Sequence, residues 1–247
     1  ETAPRTYIRR IRSGVQLAFL LFTFSICYQF YAFVLHYKSP GHPFVQRPSS
    51  VDAFLPISGL MSLKYFLFTG IVEPIHPAAL IMFVAIVMVS FLAKKGFCGW
   101  ICPIGTISEL FWKAGKIIFG KNFKIEKYTD VSLRSVKYIL MALFLVFIGI
   151  IISPNLMVLF FMSDYYVTAD VRTMNVFAEM TTITLWVLIT LSVLSLIYKN
   201  FWCRYLCPYG ALLGIVSFLS PLKIQRNEER CKHCRSCSRS CPNLIDV

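Results

Sequence analysis

Apolar residues run along this chain in long blocks, and polar residues gather between them. One block extends from about Val15 to Leu35, a second from Ile75 to Ala93, a third from about Val136 to Ile152 and a fourth from about Thr181 to Tyr198. Helices of that length approach what is needed to cross roughly 30 Å of hydrocarbon at about 1.5 Å per residue. Two other apolar stretches are interrupted. Val51–Ile71 holds Pro56, Gly59, Lys64 and Gly70, and Asn155–Ala178 holds Asp164, Tyr165, Tyr166, Asp170 and Arg172. They read as outer-face helices or re-entrant hairpins, which are tolerated at a membrane only when packed against protein. Thr106–Phe119 sets Lys113 and Lys116 on one side and Leu110, Phe111 and Ile117 on the other, the pattern of an interfacial helix. Ala211–Leu219 is a second such segment.

Composition agrees with the blocks. Of the residues, 57% are hydrophobic and 15% charged, with mean hydropathy +0.64. A soluble domain carries about a quarter charged residues. The fold class is therefore an all-α polytopic membrane protein. The first block is too long for a signal-peptide core and lacks a small-residue cleavage site, so it reads as a span. A net charge of +13 would suggest nucleic acid in a soluble chain. Here the basic residues sit at the ends of the apolar blocks, which points to lipid and not to nucleic acid. Of 25 Lys and Arg, only Lys38, Arg47, Lys64 and Arg172 fall outside the segments read as cytoplasmic. Of the acids, Asp52, Glu73, Asp164, Asp170 and Glu179 fall outside. The Lys and Arg asymmetry sets the orientation: four spans in a bacterial inner membrane, with both termini cytoplasmic.

Cysteine carries the candidate chemistry. Cys231, Cys234, Cys237 and Cys241, followed by Pro242, have the spacing C-x2-C-x2-C-x3-C-P of a bacterial 4Fe–4S ligand run. Zinc usually takes two separated pairs, and four cysteines this dense among nine argue against disulfides. Whether Cys241 closes this cluster, another one, or one completed beyond Val247 stays open. Cys98-Gly99-Trp100-Ile101-Cys102-Pro103 aligns with Cys203-Arg204-Tyr205-Leu206-Cys207-Pro208. Each copy follows a span, an outer segment and another span, and each precedes an amphipathic helix. Two pseudo-repeats result, residues 1–129 and 130–222, with a ferredoxin-like tail at 223–247. Such repeats imply a pseudo-two-fold axis along the membrane normal.

Cysteines four apart share one face of a helical turn, and a following proline suits a helix start. Three readings compete for these motifs. They are one shared 4Fe–4S cluster on Cys98, Cys102, Cys203 and Cys207, a redox dithiol in each motif, or helix-capping loops. Eight cysteines divide into two clusters of four. The absence of paired-looking cysteines suits a reducing, cytoplasmic face. Cys27, alone in the first block, reads as apolar packing.

Other candidates are fewer. His36 and His76 near outer span ends could face each other across a haem, but polar residues at a wet helix end are the plainer reading. His233 lies within the tail run and would tune its cluster. Lys64, Glu73, Asp164, Tyr165 and Tyr166 could accept quinol protons, against a plainer role as interfacial anchors. Met157, Met162, Met174 and His42 form no recognisable metal pattern. Phe111, Trp112, Trp202 and Tyr205 flank the motifs and suit packing around clusters.

At the paired C-G-W-I-C-P and C-R-Y-L-C-P motifs and the cysteine tail, the chain resembles the membrane polyferredoxins of the NapH and NosR group. The resemblance covers nearly the whole chain, from the first span to Pro242. It implies a quinol-linked electron-transfer subunit with cytoplasmic 4Fe–4S clusters. Its partners would be the quinone pool and other redox subunits: ferredoxin-like, cytochrome or flavoprotein. Two features depart from the group: nothing here resembles the flavin-bearing domain of NosR-type proteins, and one tail run is present where two are usual. The copper-reducing assembly ferredoxins are a related branch. A stand-alone metal or thiol reductase and a non-catalytic assembly scaffold are the alternatives.

The charge pattern generates a topology test. Reporter fusions after Ser50 and Arg172 should report the outer side, and a fusion after Lys121 the cytoplasm. An external signal after Lys121 would overturn both the orientation and the reducing-compartment argument.

Overall fold

The computed structural model describes residues 3–39, 41, 43–120, 123, 125–222 and 231. Among them the secondary structure is helical, with one isolated bridge between Phe123 and Tyr198. The elements are α1 (Ala3–Lys38), a 3-10 turn (Ser49–Phe54), α2 (Pro56–Thr69), α3 (Pro77–Ala93), α4 (Gly96–Trp100) and α5 (Pro103–Phe119). Then follow α6 (Lys127–Val146) with a π turn (Phe147–Ile151), α7 (Pro154–Phe161), α8 (Asp164–Val167), α9 (Ala169–Ala178) and α10 (Thr182–Ile197). A second π turn (Trp202–Leu206), α11 (Pro208–Val216) and a 3-10 turn (Ser217–Leu219) complete the order.

Local sequence explains most boundaries. Proline opens α2, α5, α7 and α11, where its missing N–H is no loss. Of the residues that interrupt Val51–Ile71 in sequence, Pro56 and Gly70 instead delimit α2. Pro56 starts it, and Gly70 ends it in the left-handed region at φ 70°. Gly59 lies inside α2 at a close approach to α3. A Cβ there would stand 2.8 Å from the Phe83 Cβ.

Among the described residues, two helical stretches are long and apolar enough to cross a membrane, Tyr7–Lys38 with 32 residues and Tyr128–Ile151 with 24. A third arises if α9 and α10, bent by 76°, count as one span. The expected span at Ile75–Ala93 is shorter than its apolar block, because His76 is drawn into a buried network and the helix begins at Pro77. At 17 residues, α3 is an apolar helix of sub-span length. Cys27 faces outward on α1 and is exposed, not packed as its apolar surroundings suggested.

The chain forms two compact units. One comprises Glu1–Gln16, Val89–Leu140 and Leu188–Val247, and the other Leu17–Met88 and Met141–Val187. Both halves of the sequence contribute to each. In the first unit α5 and α10 meet backbone to backbone, since a Cβ on Gly115 would lie 1.8 Å from the Leu196 carbonyl oxygen. Ser90 donates to the Leu213 carbonyl at 2.9 Å, tying α3 to α11. The second unit has two small cores. One gathers Met61, Ile148, Met157, Phe161 and Tyr166, and the other Ile26, Phe30, Val34 and Val51.

The Gly115 contact yields a stability prediction. Gly115→Ala should cost at least about 1–3 kcal/mol, because a backbone must move. Gly14→Ala in α1 meets nothing within 4 Å and should stabilise by up to about 1 kcal/mol. Thermal unfolding in detergent tests the pair, and equal midpoints for the two variants would refute the close approach.

Candidate metal centre

The site is built where two short helical turns run into two longer helices, all within the first unit. Cys98 lies in α4 and Cys102 caps α5, while Cys203 lies in the second π turn and Cys207 caps α11. The Cys207 Sγ accepts from the Gly210 N–H at 3.2 Å. The amides of Ile104 and Gly105 face the Cys102 thiol in the same way. A helix start favours an anionic sulfur, as the motif spacing predicts. Gly105 is needed for the turn: a Cβ there would stand 2.5 Å from the Cys98 carbonyl oxygen.

The fold brings the two motifs together. The π turn packs on α5, and the fields of Cys98, Cys102 and Cys207 all act on Cys203. All four cysteines are free and half-buried. Burial pushes the Cys98 thiol up to about 12, reinforced by Cys102 and Cys207 and opposed by Lys95. Burial and then the other three thiols raise Cys203 further. Burial also raises Cys102 and Cys207, against their backbone amides. Raised thiols are poor nucleophiles and poor ligands alike until something lowers them.

Each motif is clamped at its second position by a buried carboxylate. The Gly99 carbonyl accepts from Arg12 Nε and Gln16 Nε2, both at 3.0 Å. Both donors are also bound to Glu109 of α5, and Lys113 joins that carboxylate at 2.9 Å. Burial alone would raise Glu109, but hydrogen bonds from Gln16 and Lys113 and the charge of Arg12 outweigh it, so its pKa lies below the ordinary value. A depressed folded pKa means that this clamp stabilises above about pH 4.3 and weakens as pH falls through the folded value. At the second motif, Arg204 donates to both oxygens of Asp130, at 2.9 and 2.8 Å. Tyr205 and Arg134 bind the same carboxylate. Gln16, Glu109 and Asp130 carried no signal in the sequence, since their partners lie far along the chain.

Four cysteines are the donor set that a 4Fe–4S group takes. Among the described residues no three His, Cys, Asp or Glu are grouped to hold a single metal ion. Lys137, only 7% exposed, makes no ion pair among the described residues, and its charge acts on Cys203 and Cys207. Of the tail run, Cys231 is half-buried and free. Cys234, Cys237, Cys241 and His233 lie outside the described residues.

The outer candidates fall in the second unit and differ from interfacial anchors. Glu73 is fully buried and accepts from Ser62 at 2.9 Å, Tyr166 at 2.8 Å, and the backbone N–H groups of Ile75 and His76. Both ring nitrogens of His76 are engaged, with Asp52 at 3.0 Å and the Tyr166 carbonyl at 3.2 Å, so it is not placed as a haem ligand. Arg47 joins Asp52 at 2.6 Å to Asp170 at 2.8 Å. Lys64 donates to the carbonyls of Ile148, Gly149 and Ile152, which the first π turn leaves without helical partners. Tyr165 is exposed, and Met157 is fully buried in the core.

The family described as a 4Fe-4S binding domain matches the chain twice, at residues 75–126 and 180–227. YccM of Escherichia coli strain K12, whose name assigns it provisionally to electron transport, is 41% identical over 237 residues, covering 96% of this chain and 66% of its own length. An uncharacterized protein of Methanocaldococcus jannaschii is 29% identical over 170 residues, 69% of this chain and 60% of its own. The ferredoxin-type protein NapH of Haemophilus influenzae is 27% identical over 172 residues, 67% and 55% of the two chains. The chain thus spans between 55% and 66% of the length of these relatives. No solved structure matches it. The chain belongs to this 4Fe–4S-binding family of ferredoxin-type membrane electron-transport proteins.

The clamp at the second motif generates a prediction. Asp130→Ala removes the carboxylate that pairs with buried Arg204, which should cost about 3–5 kcal/mol. Thermal unfolding should show the loss, together with reduced iron retention. A variant as stable as the parent would show that the ion pair is not what holds Cys203 and Cys207.

Proposed function

We propose that this family member is a membrane-bound iron–sulfur electron-transfer subunit linking the quinone pool to a respiratory redox partner. The observation that carries the reading is the meeting of Cys98, Cys102, Cys203 and Cys207, from motifs about a hundred residues apart, in one desolvated site. A 4Fe–4S cluster bound there supplies one-electron redox chemistry. The protein's own part is to hold four sulfurs at two helix starts, to fix the motif backbones through Glu109 and Asp130, and to keep water from the thiols. A second cluster on Cys231, Cys234, Cys237 and Cys241 extends the path. The clusters and both termini lie at the cytoplasmic face of a bacterial inner membrane, a placement that the Lys and Arg pattern supports. The double family match supports two repeats.

The quinone part of the proposal draws on the second unit. An apolar cavity of about 510 Å³ is lined by Ile57, Met61 and residues of the first π turn and α7, including Phe160. The Tyr166 ring packs on Phe160 at 5.4 Å and its hydroxyl donates to Glu73. Oxidising a quinol to a quinone releases two electrons and two protons. A buried carboxylate linked through a tyrosine is a suitable proton acceptor. The electrons pass to other redox subunits. The metal-reductase alternative loses one of its ligands, since Met157 is fully buried in the core.

The shared site is tested by ligand removal. Cys98→Ser, Cys102→Ser, Cys203→Ser and Cys207→Ser should each abolish the same electron paramagnetic resonance signal. Iron should fall from about eight to about four per chain, at four irons per cluster. Iron near four in the parent, with spectra unchanged in all four variants, would replace the shared cluster with the dithiol reading.

A further inference from the structure

Among the described residues His76 is the one buried histidine, at 1% exposure. A neutral imidazole has a single N–H, so one ring nitrogen donates and the other accepts. At His76 both nitrogens face acceptors. Nδ1 stands 3.0 Å from Asp52 Oδ1, and Nε2 stands 3.2 Å from the Tyr166 carbonyl oxygen. The same Asp52 oxygen accepts from Arg47 at 2.6 Å, as an ionised carboxylate does. Only an imidazolium donates to both partners. Arg47 Nη2 also lies 3.3 Å from Nδ1, a spacing that follows from two donors sharing one oxygen.

The charge inventory agrees. Asp52 and Asp170 are both buried, and both bind the one guanidinium of Arg47. Glu73 adds a third buried carboxylate, bonded by Ser62, Tyr166 and two backbone N–H groups. Lys64 of α2 is directed to the carbonyls of the first π turn. The titratable groups around the ring are therefore Arg47, Asp52, Glu73, Tyr166 and Asp170. Buried carboxylates in excess of cations are costly, and a charged His76 reduces the excess.

His76 also fixes Tyr166. At four residues, α8 is too short to hold its own shape. Tyr166 is kept in place by the bond from Nε2 to its carbonyl, by an edge-to-face contact of the two rings at 5.1 Å, and by Ser58 at its hydroxyl. A neutral His76 keeps Asp52 or the carbonyl, not both.

We propose that His76 is a buried imidazolium that positions Tyr166 between Glu73 and the apolar cavity, and that the cavity loses its quinone when His76 gives up its proton. The proposal rests on the reading of that cavity as a quinone site. His76 does not line the cavity. It acts through Tyr166, which packs on the cavity residue Phe160, and is a positioning residue.

The test uses the full chain in lipid, with isotope-labelled histidine and nitrogen NMR. The sequence has four histidines, so a chain carrying His36→Gln, His42→Gln and His233→Gln reports on His76 alone. If that chain does not fold, the three single replacements identify the His76 resonances by elimination. Both ring nitrogens should carry protons at about pH 8, where an ordinary histidine of pKa about 6.5 is mostly neutral. A neutral ring there would overturn the proposal. The second measurement is the binding of decylubiquinone and of menadione against pH, followed by quenching of intrinsic fluorescence. In the parent the alkaline loss of binding should share its midpoint with the His76 titration, and separate midpoints would overturn the positioning role. Asp52→Asn removes the charge that favours the imidazolium, so it should move both midpoints down together by about one pH unit or more. Weaker binding at every pH with an unmoved midpoint would mark a merely structural role and refute the proposal. Should Asp52→Asn not fold, the parent midpoints decide. A parent that binds neither quinone at any pH would sink the quinone reading and the positioning role with it, while the nitrogen spectrum would still decide the charge.

Discussion

Four thiols cannot be buried together and ionised unless positive charge comes with them. That constraint governs the first unit. Burial raises all four cysteines, and their mutual repulsion adds to the effect at Cys98 and Cys203. Left alone the site would hold neutral thiols, poor as ligands and poor as nucleophiles. A bound iron–sulfur group would resolve the conflict, since a coordinating thiol is deprotonated. The helix starts at Pro103 and Pro208, with amides facing Cys102 and Cys207, lower the remaining cost.

The two motifs share a placement but reach it by opposite charges. The first repeat presents a carbonyl at its second position, because Gly99 has no side chain there, and α1 meets it with Arg12 and Gln16. The second repeat presents a cation, Arg204, and α6 meets it with Asp130. In each case a helix distant in sequence holds the motif through side chains of the protein itself. They also explain why a glycine and an arginine can occupy equivalent places without disturbing the cysteines four residues apart.

Sequence and structure agree most closely where chemistry is local. The helix starts after Cys102 and Cys207, and α5 ending near Phe119, follow from proline position and 3.6-residue periodicity. Long-range partners were not legible. Glu109 meets Gln16 across 93 residues, and Tyr166 meets Glu73 across 93. Nothing near either carboxylate announces its partner. The outer polar residues looked like anchors because polar residues at span ends usually are. Their burial follows from the packing of α2, α7 and α8, which periodicity does not specify. Lys64 misled for a related reason. A lysine in an apolar helix looked like an interruption, and it turned out to satisfy carbonyls that a π turn elsewhere in the sequence had freed.

The two buried polar sites differ in what they leave unmet, and that difference separates their roles. In the second unit the carboxylates and the histidine are engaged. Glu73 accepts four hydrogen bonds, His76 is bound at both nitrogens, and Arg47 is shared by Asp52 and Asp170. Such a network is rigid. It has no open valence for an ion. The thiol site is the reverse. Its four cysteines are free and half-buried, and burial favours their neutral form until a cationic group displaces the protons. An iron–sulfur core would be such a group.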